Sequence, residues 1–163
     1  MVKSKFVQGE ITKTGRKRST QEIWTPPEIV KQMCDYLQSE NKDENVFRPE
    51  STFLEPTCGD GNFVVEIYRR KLNNCTCRKD AETALASVCA IELQQDNMEV
   101  CKERVRALFS EYGYGDLDFE AVFKTNFIVD DALKVMRKWQ IQDEKEAVKN
   151  SFKENEEGQL SLF

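Results

Sequence analysis

The chain has 163 residues, 24 lysines and arginines against 29 aspartates and glutamates, and a formal charge of −5. That length suits one domain with tails, and the complete lack of histidine excludes His-based triads, His general bases and the usual His-containing zinc sites. No signal-peptide pattern and no long apolar segment is present, so a soluble cytoplasmic protein without a membrane span is expected.

Residues 1–18 carry six basic side chains and one acid, a local charge of +5 that leaves −10 for the rest. The first 20 residues therefore read as a basic flexible arm, either an ordinary solvated terminus or one that touches DNA phosphates. A helix is predicted over residues 25–37, with Thr25 and Glu28 as a capping box and Pro26 at the first helical position. Its apolar stripe is Ile29, Met33 and Leu37, widened by Val30 and Tyr36. Trp24 precedes it as a hydrophobic staple or a base-stacking platform. Residues 38–50 read as a charged loop and residues 52–54 as the first strand. A helix is expected over 62–72, a polar loop over 73–80 and a second strand over 86–91. The next helix, over 96–109, aligns Met98, Cys101, Val105 and Leu108 on one face. After a turn at 112–116, residues 119–123 read as a third strand, with Asp130 and Asp131 in the loop beyond it. A short helix is expected over 132–139. Nine charges in the fifteen positions 143–157 read as a solvated or disordered stretch.

The most informative segment runs from Phe53 to Phe63. Phe53 and Leu54 end a short apolar run, Gly59 and Gly61 form a Gly-x-Gly turn, and Phe63, Ile67, Tyr68 and Leu72 then follow a helical pattern. Strand, glycine turn and helix make the local grammar of a nucleotide-binding α/β unit. Val64 stands where a dinucleotide fingerprint wants its third glycine, and Glu92 lies further on than the roughly 20 residues that fingerprint expects. Glu92 ends the second apolar run, where a carboxylate can accept both hydroxyls of a ribose. Strands alternating with helices predict an α/β fold with a parallel sheet. Its ligand should lie beyond the carboxyl ends of the strands, where Glu55, Gly59, Gly61, Glu92 and Asp131 fall.

These motifs resemble those of the DNA adenine methyltransferases that use S-adenosylmethionine, as in restriction-modification methylase subunits. The family's first motif is similar to Glu55-Pro56-Thr57-Cys58-Gly59-Asp60-Gly61-Asn62-Phe63, and its ribose motif to Ile91-Glu92-Leu93 with Asp96-Asn97. Its upstream Thr-Pro segment is similar to Trp24-Thr25-Pro26-Pro27-Glu28-Ile29-Val30, and its third motif to Asp131-Ala132-Leu133. The four matches keep the family's order. The resemblance implies an abbreviated Rossmann-like methyltransferase core over residues 21–139. Its cofactor-binding residues would be Thr25, Pro26, Glu55, Pro56, Cys58, Gly59, Gly61, Asn62, Phe63, Glu92, Leu93, Asp131 and Ala132. Glu55 would pair with the methionine ammonium and Glu92 with the ribose. Asp131 would accept from the adenine amino group, or Asp130 would, or either would cap the next helix. Thr25 and Pro26 would close over the methionine end, and Phe63 is core or cofactor contact. The family's catalytic tetrapeptide, Asn-Pro-Pro-Tyr or a close variant, has no counterpart, because all four prolines lie at or before Pro56. The catalytic residues are therefore not identified. The resemblance implies that activity needs a partner chain, a second methyltransferase subunit, or a substitute for the tetrapeptide.

The tail over residues 140–163 ends in Gln159-Leu160-Ser161-Leu162-Phe163. This resembles the short peptide by which bacterial DNA-processing proteins bind the replication sliding clamp, with Gln159 for polar contacts and Leu160, Leu162 and Phe163 for an apolar pocket. The alternative is an apolar end folded back on the core. The six cysteines show no Cys-x-x-Cys spacing; Cys75 and Cys77 read as a loop rather than a metal site. Two functions follow: a DNA adenine methyltransferase or its cofactor-binding part, or a non-catalytic module of that descent that binds the clamp and regulates replication or defence.

Overall fold

The structure, a computed structural model, describes residues 25–42, 45–143 and 145–146. The elements are α1 (Pro27–Glu40), β1 (Phe53–Glu55), α2 (Asn62–Leu72), α3 (Arg78–Ala86), β2 (Val88–Glu92), α4 (Gln95–Glu111), α5 (Phe119–Asn126) and β3 (Phe127–Val129). A last helix, α6, occupies residues 132–143. The fold is α/β, with one three-stranded parallel sheet ordered β1-β2-β3. Phe53 pairs with Val88, and Ala90 with Phe127. This register puts Phe53, Val88, Ala90 and Phe127 on one face, where they join the main apolar cluster with Val64, Tyr68, Met98, Cys101 and Val105. Helices α2 and α4 pack against each other over that cluster. Leu54, on the opposite face, is exposed.

Helix α1 departs from its sequence reading in two ways. The capping box does not form: Pro26 is the N-cap, Pro27 the first helical residue, and no side chain caps the end. Pro27 forces its predecessor into extended backbone, which Pro26 adopts at ψ 141°, so Thr25 stands one residue too early to cap. Most of the predicted stripe, Val30 excepted, is also turned outward. Ile29, Met33, Tyr36 and Leu37 are 40–66% exposed, while Val30 and Cys34 are buried. Only one flank of α1 meets α2, where Arg70 clamps it by donating to Asp35 Oδ1 at 2.7 Å and to the Lys31 carbonyl at 3.2 Å.

Residues 119–123 are helix, not strand. Asp118 caps α5 by accepting from the Ala121 N–H at 3.1 Å, and the third strand follows at Phe127–Val129. Phe119 and Phe123 are one helical turn apart, and both are buried. A ladder of rings runs from Tyr68 through Phe109, Phe119 and Phe123 to Phe127, with neighbouring centroids 4.5–5.8 Å apart. Aromatic residues at helical spacing thus satisfy the core without a strand. Helix α3 replaces part of the expected 73–80 loop. Asp80 in its first turn accepts from the N–H and hydroxyl of Thr76, both at 2.7 Å, and Ala81, Ala84 and Leu85 turn inward.

The Lys71 side chain is completely buried in this core. Lys71 Nζ donates to the carbonyls of Arg48 at 2.8 Å, Pro49 at 3.2 Å and Ser51, and lies 5.1 Å from the centre of the Phe53 ring. It ties the 48–51 turn to the start of β1. Burial lowers its pKa to about 8, against the opposing pull of the Glu50 carboxylate. No helix among the described residues is long and apolar enough to cross a membrane.

Candidate functional site

The ends of β1, β2 and β3 converge on a cleft of about 480 Å³. Strand β1 delivers Glu55 and runs into the glycine turn. The turn is stitched to β2 by the Cys58 N–H donating to the Ile91 carbonyl at 2.9 Å, and closed by Gly61 N–H to the Cys58 carbonyl at 2.8 Å. Gly61 stands at φ +94°, a left-handed conformation that suits glycine, and is the N-cap of α2.

Glu92 is the hub of this geometry. Its Oε2 accepts from the Gly59 N–H and its Oε1 from the Gln94 N–H, both at 2.9 Å. The carboxylate therefore joins the glycine turn to the β2–α4 turn. Each carboxylate oxygen can accept a second hydrogen bond, so these two contacts leave it acceptor capacity.

Glu55 Oε1 accepts from the Thr57 N–H at 3.1 Å and from its hydroxyl at 3.5 Å. Burial nevertheless raises the Glu55 pKa, against the pull of those two bonds. Past β3, the Asp130 N–H donates to the Glu92 carbonyl at 3.2 Å. Asp130 accepts from the Asp131 N–H at 2.8 Å and pairs with Lys138 at 3.5 Å; the backbone bond leads in lowering its pKa. Asp131 Oδ1 caps α6, accepting from the N–H groups of Leu133 at 2.9 Å and Lys134 at 3.3 Å. The helix-capping reading of Asp131 thus holds, and both aspartates also line the cleft.

Of the residues expected at the site, Thr25, Glu55, Pro56, Cys58, Gly59, Asn62, Phe63, Glu92, Leu93, Asp131 and Ala132 line this cleft. Pro26 and Gly61 do not. Pro26 ends in the α1 cap, and Gly61 backs onto α4, where an added Cβ would lie 2.6 Å from Cys101 Sγ. Phe63 packs against the core and also lines the cleft. Thr57, Asp60, Gln94 and Asn97 also line it, although the sequence does not single them out as ligand contacts. Their signal is position, since each lies inside or beside the two motifs. The Cys58 thiol, hydrogen-bonded to Cys101 and buried, sits well above the usual thiol range. Among the described residues no cluster of carboxylates or cysteines could hold a metal. Trp24 and the 159–163 peptide lie outside the described residues.

The cleft's charge narrows its ligand. Among the described residues Glu55, Asp60, Glu92, Asp130 and Asp131 line it and no lysine or arginine does, although Arg104 lies 3.1 Å from Asp60 and Lys138 3.5 Å from Asp130. A pyrophosphate would meet mainly carboxylates there, whereas a cationic ligand with hydroxyl donors would be stabilised. No protein-family model matches the chain, and neither a curated protein nor a solved structure does.

Proposed function

We propose that this chain binds S-adenosylmethionine and is the cofactor-binding part of a DNA adenine methyltransferase, built on an abbreviated Rossmann-like core. The observation that carries the reading is the acidic cleft at three parallel strand ends, with its glycine turn and, among the described residues, no basic side chain in its lining. It suits a nucleoside whose other end bears a sulfonium and an ammonium. Glu92 would hold the ribose hydroxyls, Glu55 the ammonium, and Asp131 or Asp130 the adenine amino group. When bound, the cofactor supplies an electrophilic methyl group, and the protein's part is to orient it and exclude water. The DNA adenine specificity rests on the order of the four motifs. With no Asn-Pro-Pro-Tyr segment to grip a flipped base, transfer would depend on a partner chain.

Calorimetric titration with S-adenosylmethionine, followed by a methyl-transfer assay on mixed-sequence DNA, tests this. Binding is expected, with little or no transfer by the chain alone. Glu92→Ala should weaken binding by about 1–3 kcal/mol, the cost of removing a charged hydrogen-bond partner. No binding at millimolar cofactor, or undiminished binding by Glu92→Ala, would remove the reading.

The terminal peptide Gln159-Leu160-Ser161-Leu162-Phe163 favours a second reading, recruitment to a bacterial sliding clamp through Leu162 and Phe163. Short interface peptides concentrate their energy in a few such apolar anchors. Deleting residues 159–163 should abolish co-elution with a clamp and leave cofactor affinity and the unfolding midpoint nearly unchanged. A deletion that unfolds the protein would assign those residues to the core instead.

A further inference from the structure

We propose that Arg104, which does not line the cleft, is a positioning residue that fastens the Thr25 segment over one end of it. The inference rests on the S-adenosylmethionine reading of the cleft. Arg104 projects from α4 toward the start of α2. Its Nη1 donates to the Asp60 carbonyl at 2.7 Å and lies 3.1 Å from Asp60 Oδ1, while Nη2 donates to Asn62 Oδ1 at 2.9 Å. Asn62 Nδ2 in turn donates to the Thr25 carbonyl at 2.9 Å.

The chemistry of these groups gives the relay a direction. A guanidinium only donates, so it holds the Asn62 amide with its oxygen toward α4. The amide nitrogen is then turned to the Thr25 carbonyl, which can only accept. Arg104 and the Thr25 carbonyl thus select the same amide orientation from opposite ends; without Arg104 only the single bond to Thr25 holds it. The bond to the Asp60 carbonyl also fixes the peptide plane between Asp60 and Gly61, the hinge of the glycine turn. Cys101, one helical turn before Arg104, backs Gly61 sterically. Helix α4 thus supports the turn twice, by packing and by polar contact.

With the ribose at Glu92, the amino acid end of the ligand would lie toward Glu55 and Thr25. Loss of the relay should then weaken ligands that carry this end more than those that lack it. The test is calorimetry with S-adenosylhomocysteine, which has the amino acid end, and 5′-methylthioadenosine, which does not. The proteins are the wild type, Arg104→Met, Arg104→Lys, Asn62→Asp and the Arg104→Met/Asn62→Asp double variant. Arg104→Met should bind S-adenosylhomocysteine about tenfold more weakly, the scale of one charge-assisted hydrogen bond, and 5′-methylthioadenosine within about twofold of wild type. Arg104→Lys, also donor-only, should recover part of the loss. Asn62→Asp keeps the Arg104 contact and loses the Thr25 one, so its effect should not add to that of Arg104→Met. Unchanged affinity in Arg104→Met, equal losses for both ligands, additive losses in the double variant, or no recovery with lysine would overturn the proposal. Failure of the wild type to bind either ligand would be a distinct result, removing the cleft reading and this inference with it.

Discussion

Gly61→Ala is expected to be the most damaging small substitution at the cleft. Two costs coincide there. Gly61 sits at φ +94°, where an L-residue pays roughly 1–2 kcal/mol. Its new Cβ would also lie 2.6 Å from Cys101 Sγ, 3.1 Å from Cys101 Cβ and 3.3 Å from Cys101 Cα. Cys101 is completely buried on α4, so relief needs a helix shift rather than a rotamer change. Overpacking of this kind costs about 1–3 kcal/mol. A combined loss of about 2–5 kcal/mol is a large share of a small domain's stability. Gly113 provides the control, because it stands at φ +83° and a Cβ added there would meet nothing within 4 Å. Gly113→Ala should therefore show the backbone cost alone. Adding Cys101→Ala to Gly61→Ala should return part of the packing cost and none of the backbone cost. Urea unfolding of the wild type and these three variants measures this; equal midpoints for Gly61→Ala and Gly113→Ala would mean that α4 does not press on the turn.

The glycine turn also illustrates why the site is easier to read from sequence than the fold. Glycine turns and strand-end acids are local signals. Gly59, Gly61, Glu55 and Glu92 need only their immediate neighbours to be recognised, and all four fall at strand ends or in the turn. Sequence and structure part where tertiary packing overrides local pattern. Residues 119–123 are rich in aromatic and β-branched types, yet the ring ladder from Phe109 to Phe127 requires them at helical spacing. The stripe on α1 is periodic, yet the buried flank runs along its edge residue Val30 and Cys34, leaving Ile29, Met33, Tyr36 and Leu37 exposed. Arg104 gives no sequence signal because its partners, Asp60 and Asn62, are more than forty residues away. The buried Lys71 is hidden for a related reason: a lysine in a helical pattern reads as solvated until three carbonyls close around it.

Glu55→Gln is expected to separate function from stability by moving them in opposite directions. Burial raises the Glu55 pKa above its unfolded value, so the folded state holds its proton more tightly than the unfolded chain does. That contribution to stability is present in full below the unfolded pKa and is lost as pH rises through the raised folded value. At neutral pH the ligand-free protein therefore carries an ionised carboxylate that its surroundings disfavour. Glutamine has no charge to desolvate and keeps an oxygen for Thr57. The variant should unfold at a higher temperature than wild type at pH 7.5, with the advantage vanishing in acid, where Glu55 is protonated. Its affinity for S-adenosylmethionine should fall by about 1.5–3 kcal/mol, because an amide cannot replace a charged partner for the ammonium. Wild-type affinity should also drop as pH falls through the raised Glu55 range, and this part of the drop should be absent in Glu55→Gln. Thermal melts and calorimetry across pH 4–8 give both readouts. A variant that melts lower than wild type and binds the cofactor equally well would make Glu55 a structural end to β1, and the ammonium would need another partner in the cleft.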